Sequence, residues 1–105
     1  MHNYKELEIW KLGVKFCPKI YLTTNTFPKE EKFGLVSQLN RAVVSVPSNI
    51  AEGSGRFTKK DFASFLQISL GSAQEVEYLI LLFSFFYQCI LWCIHLYKLL
   101  FYSHF

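Results

Sequence analysis

The sequence predicts an all-α protein, an antiparallel up-down four-helix bundle with an atypical fourth helix. Apolar residues recur at alternating intervals of three and four in three successive segments of 4–83. Pro28 and Gly55, which favour helix starts and ends, separate these segments. Of the 105 residues, 51% are hydrophobic and 18% aromatic, which is enough to fill the core of one domain. We therefore expect a single bundle domain over 1–105, with several interpretations open for 83–105.

The first helix is expected at about 4–24. Its apolar residues follow the 3, 4, 3, 4 spacing of a bundle seam. That seam consists of Leu7, Trp10, Val14, Cys17 and Tyr21. A second apolar strip, formed by Ile9, Phe16 and Ile20, predicts contact with more than one neighbour. Pro18 lies inside the segment, where it removes a backbone hydrogen bond and is expected to kink the helix.

The second helix is expected at about 29–52. Its seam consists of Leu35, Leu39, Val43, Val46 and Ile50. Pro47 leaves the Val43 carbonyl without its helical donor, so it should bend this helix unless a neighbouring group supplies a hydrogen bond. Gly53 and Gly55 are expected to end the helix.

The third helix is expected at about 58–83. Thr58 precedes Asp61 at the spacing of a capping box, and apolar residues keep the same rhythm through Phe83. A fourth helix is expected at about 89–101, although no Gly, Pro, Asn or Asp marks a turn before it.

Charge is distributed unevenly along the chain. The net charge of +3 permits a polyanionic partner without arguing for one. All eight acids and ten of the eleven bases lie in residues 1–77, whereas Tyr78 to Tyr97 contains no charged residue. This uncharged stretch is long enough to span a bilayer, so a membrane segment is a rival interpretation. Residues 1–15 contain five charged residues and no apolar run, so we expect no signal peptide and a cytoplasmic location.

The three cysteines are odd in number, and we expect them to be free thiols. Cys89 and Cys93 lie one helical turn apart with His95 nearby, but a zinc site usually pairs two such clusters. We interpret them as core thiols and expect no metal and no cofactor. Ser45 and Ser48 lack the surroundings of a nucleophile elbow, and no His is placed as a base, so we expect no enzyme.

Polar residues share one face of the second helix and continue onto the third. Because buried polar groups must be paired, we predict a network that fixes the register between helices or between protomers. The predicted members are Arg41, Asn49, Glu52 and Glu75. Gly71 and Ser72 should let two helices approach closely. A ligand site and an ordinary solvated face are the alternatives.

Two groups of basic residues are candidates for contact with nucleic acid. Lysines recur every four residues along the first helix, and further bases cluster at the start of the third, where the helix dipole also favours phosphate. The candidates are Lys11, Lys15, Lys19, Arg56, Lys59 and Lys60. No aromatic residue alternates with them, so we expect backbone contacts with weak sequence preference. The alternative is a solvated face, as for most charge stripes.

Residues 45–56 read SVPSNIAEGSGR, a small, polar and specific stretch between two apolar helices. Together with Leu7-Glu8-Ile9-Trp10, Thr26-Phe27-Pro28 and Gly71-Ser72, it resembles the bacterial four-helix bundle proteins of intervening sequences in 23S ribosomal RNA genes. The resemblance covers about residues 4–82.

This resemblance implies a small cytoplasmic bundle without enzymatic activity that assembles into a homo-oligomeric ring, a pentamer. It also implies a fold related to the accessory protein of diversity-generating retroelements, a basic ring that binds nucleic acid and reverse transcriptase. The motif positions carried over are Arg41, Asn49, Glu52, Gly53, Arg56 and Glu75. We therefore expect a non-catalytic oligomer associated with RNA or DNA. The alternatives are a module that binds a protein partner through apolar helix surfaces and, more distantly, a small membrane protein.

The C-terminal quarter departs from the family pattern. Family members have a Gly-containing turn and then a charged amphipathic fourth helix, whereas 83–105 contains no acid and one base, Lys98. Its bias toward Phe, Tyr, Cys, Ile and Leu is typical of an AT-rich gene that is read out of frame. We interpret it as a frameshifted or truncated end, with a true fourth helix and a membrane segment as the alternatives.

Overall fold

A computed structural model describes residues 2–31 and 33–102. Three α-helices account for most of them: α1 at Glu8–Thr24, α2 at Leu35–Ser54 and α3 at Lys59–Tyr102. Short 3-10 turns at Tyr4–Glu6 and Lys29–Glu31 precede α1 and α2, and there is no strand in the described ranges. The predicted all-α class is therefore confirmed. The ends of the expected domain, residues 1 and 103–105, lie outside the described residues.

The first two helices begin later than the spacing of apolar residues predicted. Leu7 is extended, with φ −74° and ψ 127°, and separates the first 3-10 turn from α1. At α2, Gly34 has φ −97° and ψ −103°, which is not helical, so the helix starts at Leu35 rather than near 29. Apolar periodicity runs through both breaks because side chains on a turn can also face the core. Such a pattern therefore places helix boundaries poorly.

The segment expected to form a fourth helix is helical but does not form a separate element. It continues α3 without a break, so that α3 has 44 residues. Nothing in its sequence disrupts helical hydrogen bonding, because Gly and Pro are absent from 72–102. The molecule is consequently elongated, 72 by 22 by 22 Å, with a radius of gyration of 19.2 Å. A compact chain of this length would have a radius of about 13 Å.

The core lies where α1 and α3 both pack on α2. Its buried apolar members are Ile20, Leu35, Leu39, Ala42, Val43, Val76 and Leu79. Complete burial of one such leucine side chain contributes about 1.5–3 kcal/mol. Core contacts on α3 end near Phe83, whose ring stacks on that of Phe27 from the α1–α2 turn at 3.6 Å between centroids. Beyond this stack lies the arm, as we call residues 84–102, whose described side chains are all exposed.

The buried face of α1 differs from the predicted seam. Val14 and Tyr21 are exposed, whereas Gly13, Ile20 and Thr24 are buried. Gly13 is the reason: with no side chain of its own, it brings α1 against α2. A Cβ placed there would lie 3.3 Å from Pro47 Cβ.

Candidate nucleic-acid interface

The stretch 45–56 forms the C-terminal half of α2 and the start of the connection to α3. Its serines and backbone make the hydrogen bonds that join the two helices. Ser72 Oγ lies 2.8 Å from Ser45 Oγ, and Ser69 Oγ donates to the carbonyl of Val46 at 2.8 Å. Asn49 Nδ2 donates to Ser45 Oγ at 2.9 Å and so extends the same seam. These contacts give the stretch a structural role in docking α3 on α2.

Close approach of α2 and α3 depends on Gly53, which lies inside α2 and does not end it. A Cβ on Gly53 would lie 2.5 Å from Phe65 Cβ, closer than real side chains allow. Gly71, which was expected to allow close packing, has nothing within 4 Å of such a Cβ. Its neighbour Ser72 does face α2, as the bond to Ser45 shows.

The predicted four-residue polar network is not formed within one chain. Arg41 is exposed and has no hydrogen bond or ion pair among the described residues. Glu52 pairs with Arg56 at 3.0 Å, and Glu75 accepts a hydrogen bond from Gln38 Nε2 at 3.2 Å. Asn49, the fourth member, bonds to Ser45 as described. Helical spacing placed these residues on shared faces, but it did not show which face would meet the neighbouring helix.

The three lysines on α1 are all exposed. Lys11 Nζ lies 3.3 Å from Glu8 Oε1 in an exposed ion pair, which contributes little to stability. Lys15 and Lys19 border a groove between α1 and α3. Neither makes an ion pair in the described part of the chain, so their charges remain available to an anionic partner.

The second basic group lies where α2 ends and α3 begins. The Arg56 guanidinium pairs with Glu52 and lies 4.7 Å above the ring centroid of Phe65, a cation–π contact that holds it in place. Lys59 and Lys60 are exposed in the first turn of α3. Thr58 Oγ1 accepts from the backbone N–H of Asp61 at 3.1 Å, as the capping spacing predicted.

The N-terminal turn adds a base at this end of the bundle that sequence reasoning did not include. The backbone N–H of His2 donates to the carbonyl of Ser54 at 2.9 Å and so ties the N-terminus to the end of α2. Lys5 follows on the 3-10 turn and is exposed. Lys59 lies two turns before Leu66, which lines the groove between α1 and α3, and therefore shares that face of α3. Bases from α1 and α3 thus border one side of the molecule.

The cysteines are free, and in the described ranges no three His, Cys, Asp or Glu side chains come together in a metal-binding group. Cys89 and Cys93 are exposed on the arm and are not core thiols in the single chain. Cys17 is half-buried, and burial raises the pKa of its thiol, an effect that its backbone hydrogen bond partly offsets.

The arm gives α3 an unusual hydropathy. An 18-residue window of α3 has a mean hydropathy of 2.0, and only 6% of it is buried in the chain. By length and composition alone this helix could cross a membrane, a property that core helices of soluble proteins share.

The chain matches no curated protein. The profile of the 23S rRNA-intervening sequence protein family matches residues 5–86. This match includes α1, α2, the α2–α3 seam and both basic groups, and it ends where the arm leaves the bundle. The chain therefore belongs to the 23S rRNA-intervening sequence protein family.

Proposed function

We propose that this protein is a non-catalytic, self-associating bundle of the cytoplasm that binds nucleic acid, RNA in particular, through its phosphates. The observation that carries this proposal is the basic border described above. This border consists of Lys15, Lys19 and Lys59. They and the neighbouring Lys60 are exposed and have no carboxylate partner in the described residues. Phosphate contacts need such unpaired cations, because a base already held by a carboxylate gains less from an anionic partner.

A non-catalytic role is supported by the surroundings of the hydroxyl groups. Ser45 Oγ is engaged by Ser72 and Asn49, and no His of the described residues hydrogen-bonds to it as a base. Its position between two helices suits a structural hydrogen bond better than nucleophilic attack.

Self-association into a closed ring, a pentamer as the resemblance implies, would multiply the basic border by the number of copies. A single chain contributes few phosphate contacts, so its affinity would be low at physiological salt. A ring that presents the same border repeatedly gains avidity without any new type of contact.

A salt series with fluorescently labelled RNA tests the proposal. We expect the affinity to fall steeply with salt and to depend weakly on sequence. Replacing Lys11, Lys15 and Lys19 by Glu should weaken binding to all sequences alike. On single-stranded RNA, it should flatten the salt slope by about 0.7 for each phosphate that the variant no longer neutralises. Lys29→Glu is the matched control, because Lys29 is also exposed but lies in the α1–α2 turn, outside both basic groups.

The proposal fails if the triple variant binds RNA as tightly as the parent at low salt, because the three lysines would then only solubilise α1. That result would favour the competing function, in which the protein binds a protein partner through exposed apolar residues of α1, such as Leu12 and Phe16.

A further inference from the structure

An open groove runs along one side of the bundle. α1 and α3 both pack on α2, but in the described residues no Cα atom of α1 lies within 8 Å of a Cα atom of α3. The space between them, about 530 Å³, has Val46 and Ile50 of α2 at its floor. Its walls are apolar and include Leu12 on α1 and Leu70 on α3, which are 63% and 60% exposed. This is the position that a fourth helix would occupy in a bundle.

The same chain contains an apolar helix, the arm, whose described side chains are exposed. On the arm, Phe85, Trp92 and Leu100 are 63%, 68% and 65% exposed, and Lys98 is its only charged residue. Apolar side chains surround the arm on every face, which is typical of a helix that is buried in an assembly or a membrane. The arm does not fill the groove of its own chain, because α3 runs from Lys59 to Tyr102 without a break, and the absence of Gly and Pro from 72–102 favours that continuous helix.

The arm and the groove match in length. Residues 84–102 form a helix of about 28 Å at 1.5 Å per residue. The groove runs beside α1, whose 17 residues span about 26 Å by the same measure. An arm from another molecule would therefore pack along the full length of α1.

We propose that the groove is filled by the arm of a second copy of this chain, which supplies the fourth helix in trans. This inference deepens the self-association in the proposed function by naming the surfaces that meet. Two copies can exchange arms reciprocally. In a larger assembly, each copy can insert its arm into the groove of the next copy, and this head-to-tail arrangement forms a closed ring if the rotation from copy to copy adds up to a full turn.

The area available is that of a stable interface. A fully covered aromatic side chain buries about 150–250 Å², and one that is already partly covered, such as Phe85 at 63% exposed, would bury about 100 Å² more. Five on an arm and their counterparts in the groove would bury about 1,000 Å², and two exchanged arms about 2,000 Å². Stable protein interfaces bury about 1,200–2,000 Å².

A lipid bilayer could also cover the arm on all sides, but it would leave the groove open. Arm exchange covers both apolar surfaces at once, and for this reason we favour it. The two occupants differ in what they require of the groove, because insertion of the arm into lipid does not involve Leu12 of α1 or Leu70 of α3.

Complementation between two defective variants tests the exchange. The arm variant carries Leu91→Glu, Trp92→Glu and Ile94→Glu and keeps its groove. The groove variant carries Leu12→Glu and Leu70→Glu and keeps its arm. We expect each alone to self-associate more than about tenfold more weakly than the parent, and their mixture to form a mixed complex in sedimentation. Phe57→Glu is the control, because Phe57 is 88% exposed but lies in the α2–α3 connection, away from the groove.

A mixture that remains monomeric, or a groove variant that associates like the parent, would overturn the inference. A second measurement does not depend on the folding of the Glu variants. When a mild oxidant such as diamide is added to accept the two electrons and two protons, Leu12→Cys in this chain should form a disulfide with Cys89 or Cys93 of another copy, whereas Phe57→Cys should not. If no disulfide forms between groove and arm and the chain floats with phosphatidylcholine vesicles, the arm inserts into lipid and arm exchange is refuted. If complementation fails while RNA binding is intact, only arm exchange is refuted. If complementation succeeds while RNA binding is absent, only the nucleic-acid proposal is refuted.

Discussion

The thiol of Cys17 on α1 lies 3.5 Å from the carbonyl oxygen of Val43 on α2. That carbonyl would bond to the backbone of residue 47 in an uninterrupted helix, but Pro47 has no N–H to give. Gly13, one turn before Cys17, leaves room for Pro47 to approach. The proline that breaks the hydrogen-bond ladder of α2 is thus the place where α1 docks. The single S–H of Cys17 is shared there between the Val43 carbonyl and the Gly13 carbonyl of α1, which lies 3.3 Å away.

Cys17→Ala should lower the free energy of unfolding by about 1 kcal/mol, because the half-buried thiol and its contacts with the Gly13 and Val43 carbonyls are lost at the α1–α2 contact. Urea denaturation followed by circular dichroism measures the change. Cys89→Ala is the chemically matched control on the exposed arm, and it should change stability by less than about 0.5 kcal/mol. Equal effects of the two substitutions would show that the thiol–carbonyl contact contributes nothing.

The thiols should also differ in reactivity. Burial raises the pKa of Cys17. At pH 7.5 a smaller fraction of the Cys17 thiols is therefore ionised than for a thiol of ordinary pKa, and the thiolate is the form that attacks alkylating reagents. We expect iodoacetamide to modify Cys17 more slowly than Cys89 or Cys93, and its rate to rise with pH toward the raised pKa. Peptide mass spectrometry at timed intervals gives the rates. The difference should vanish in urea, and equal rates in the folded protein would contradict the burial of Cys17.

Two glycine substitutions should have opposite effects. Gly53→Ala puts a methyl group 2.5 Å from Phe65 Cβ, which should force α2 and α3 apart at a cost of about 1–3 kcal/mol. Gly71→Ala meets open space and should stabilise α3 by about 0.5–1 kcal/mol through helix propensity. Thermal unfolding of both variants makes the comparison. Stabilisation by both would mean that the α2–α3 contact yields easily at Gly53.

Ser69→Ala removes the bond from Ser69 Oγ to the Val46 carbonyl at a buried position. We expect a loss of about 1 kcal/mol in the free energy of unfolding. Ser64→Ala on the same helix is the control: its hydroxyl bonds within α3 to Lys60 and is exposed. That change should stay within about 0.5 kcal/mol. If the Ser69 variant is as stable as the control, the hydrogen bonds between α2 and α3 do not contribute measurably to holding α3 on α2.

Much of the local structure was predictable because its causes lie within a few residues. The 3-and-4 spacing of apolar residues predicted three helices, and Thr58 marked the start of α3. The sequence also showed that Pro47 would leave the Val43 carbonyl in need of a donor. A separate fourth helix at about 89–101 was predicted although no turn residue precedes it, and α3 instead continues through this segment without a break.

The partners across helices were decided by the tertiary structure. The spacing of Asn49, Glu52 and Glu75 along the sequence shows which residues share a face of their helix, but it does not fix the rotation of each helix about its axis. That rotation depends on where the backbones can come closest, at Gly13 against Pro47 and at Gly53 against Phe65. These two close contacts turn Cys17 toward Val43 and leave Arg41 in solvent, and they hold α1 and α3 apart so that the groove stays open. The sequence by itself determined the helices and the surplus of apolar surface, while packing at the two glycines decided which surfaces were left uncovered.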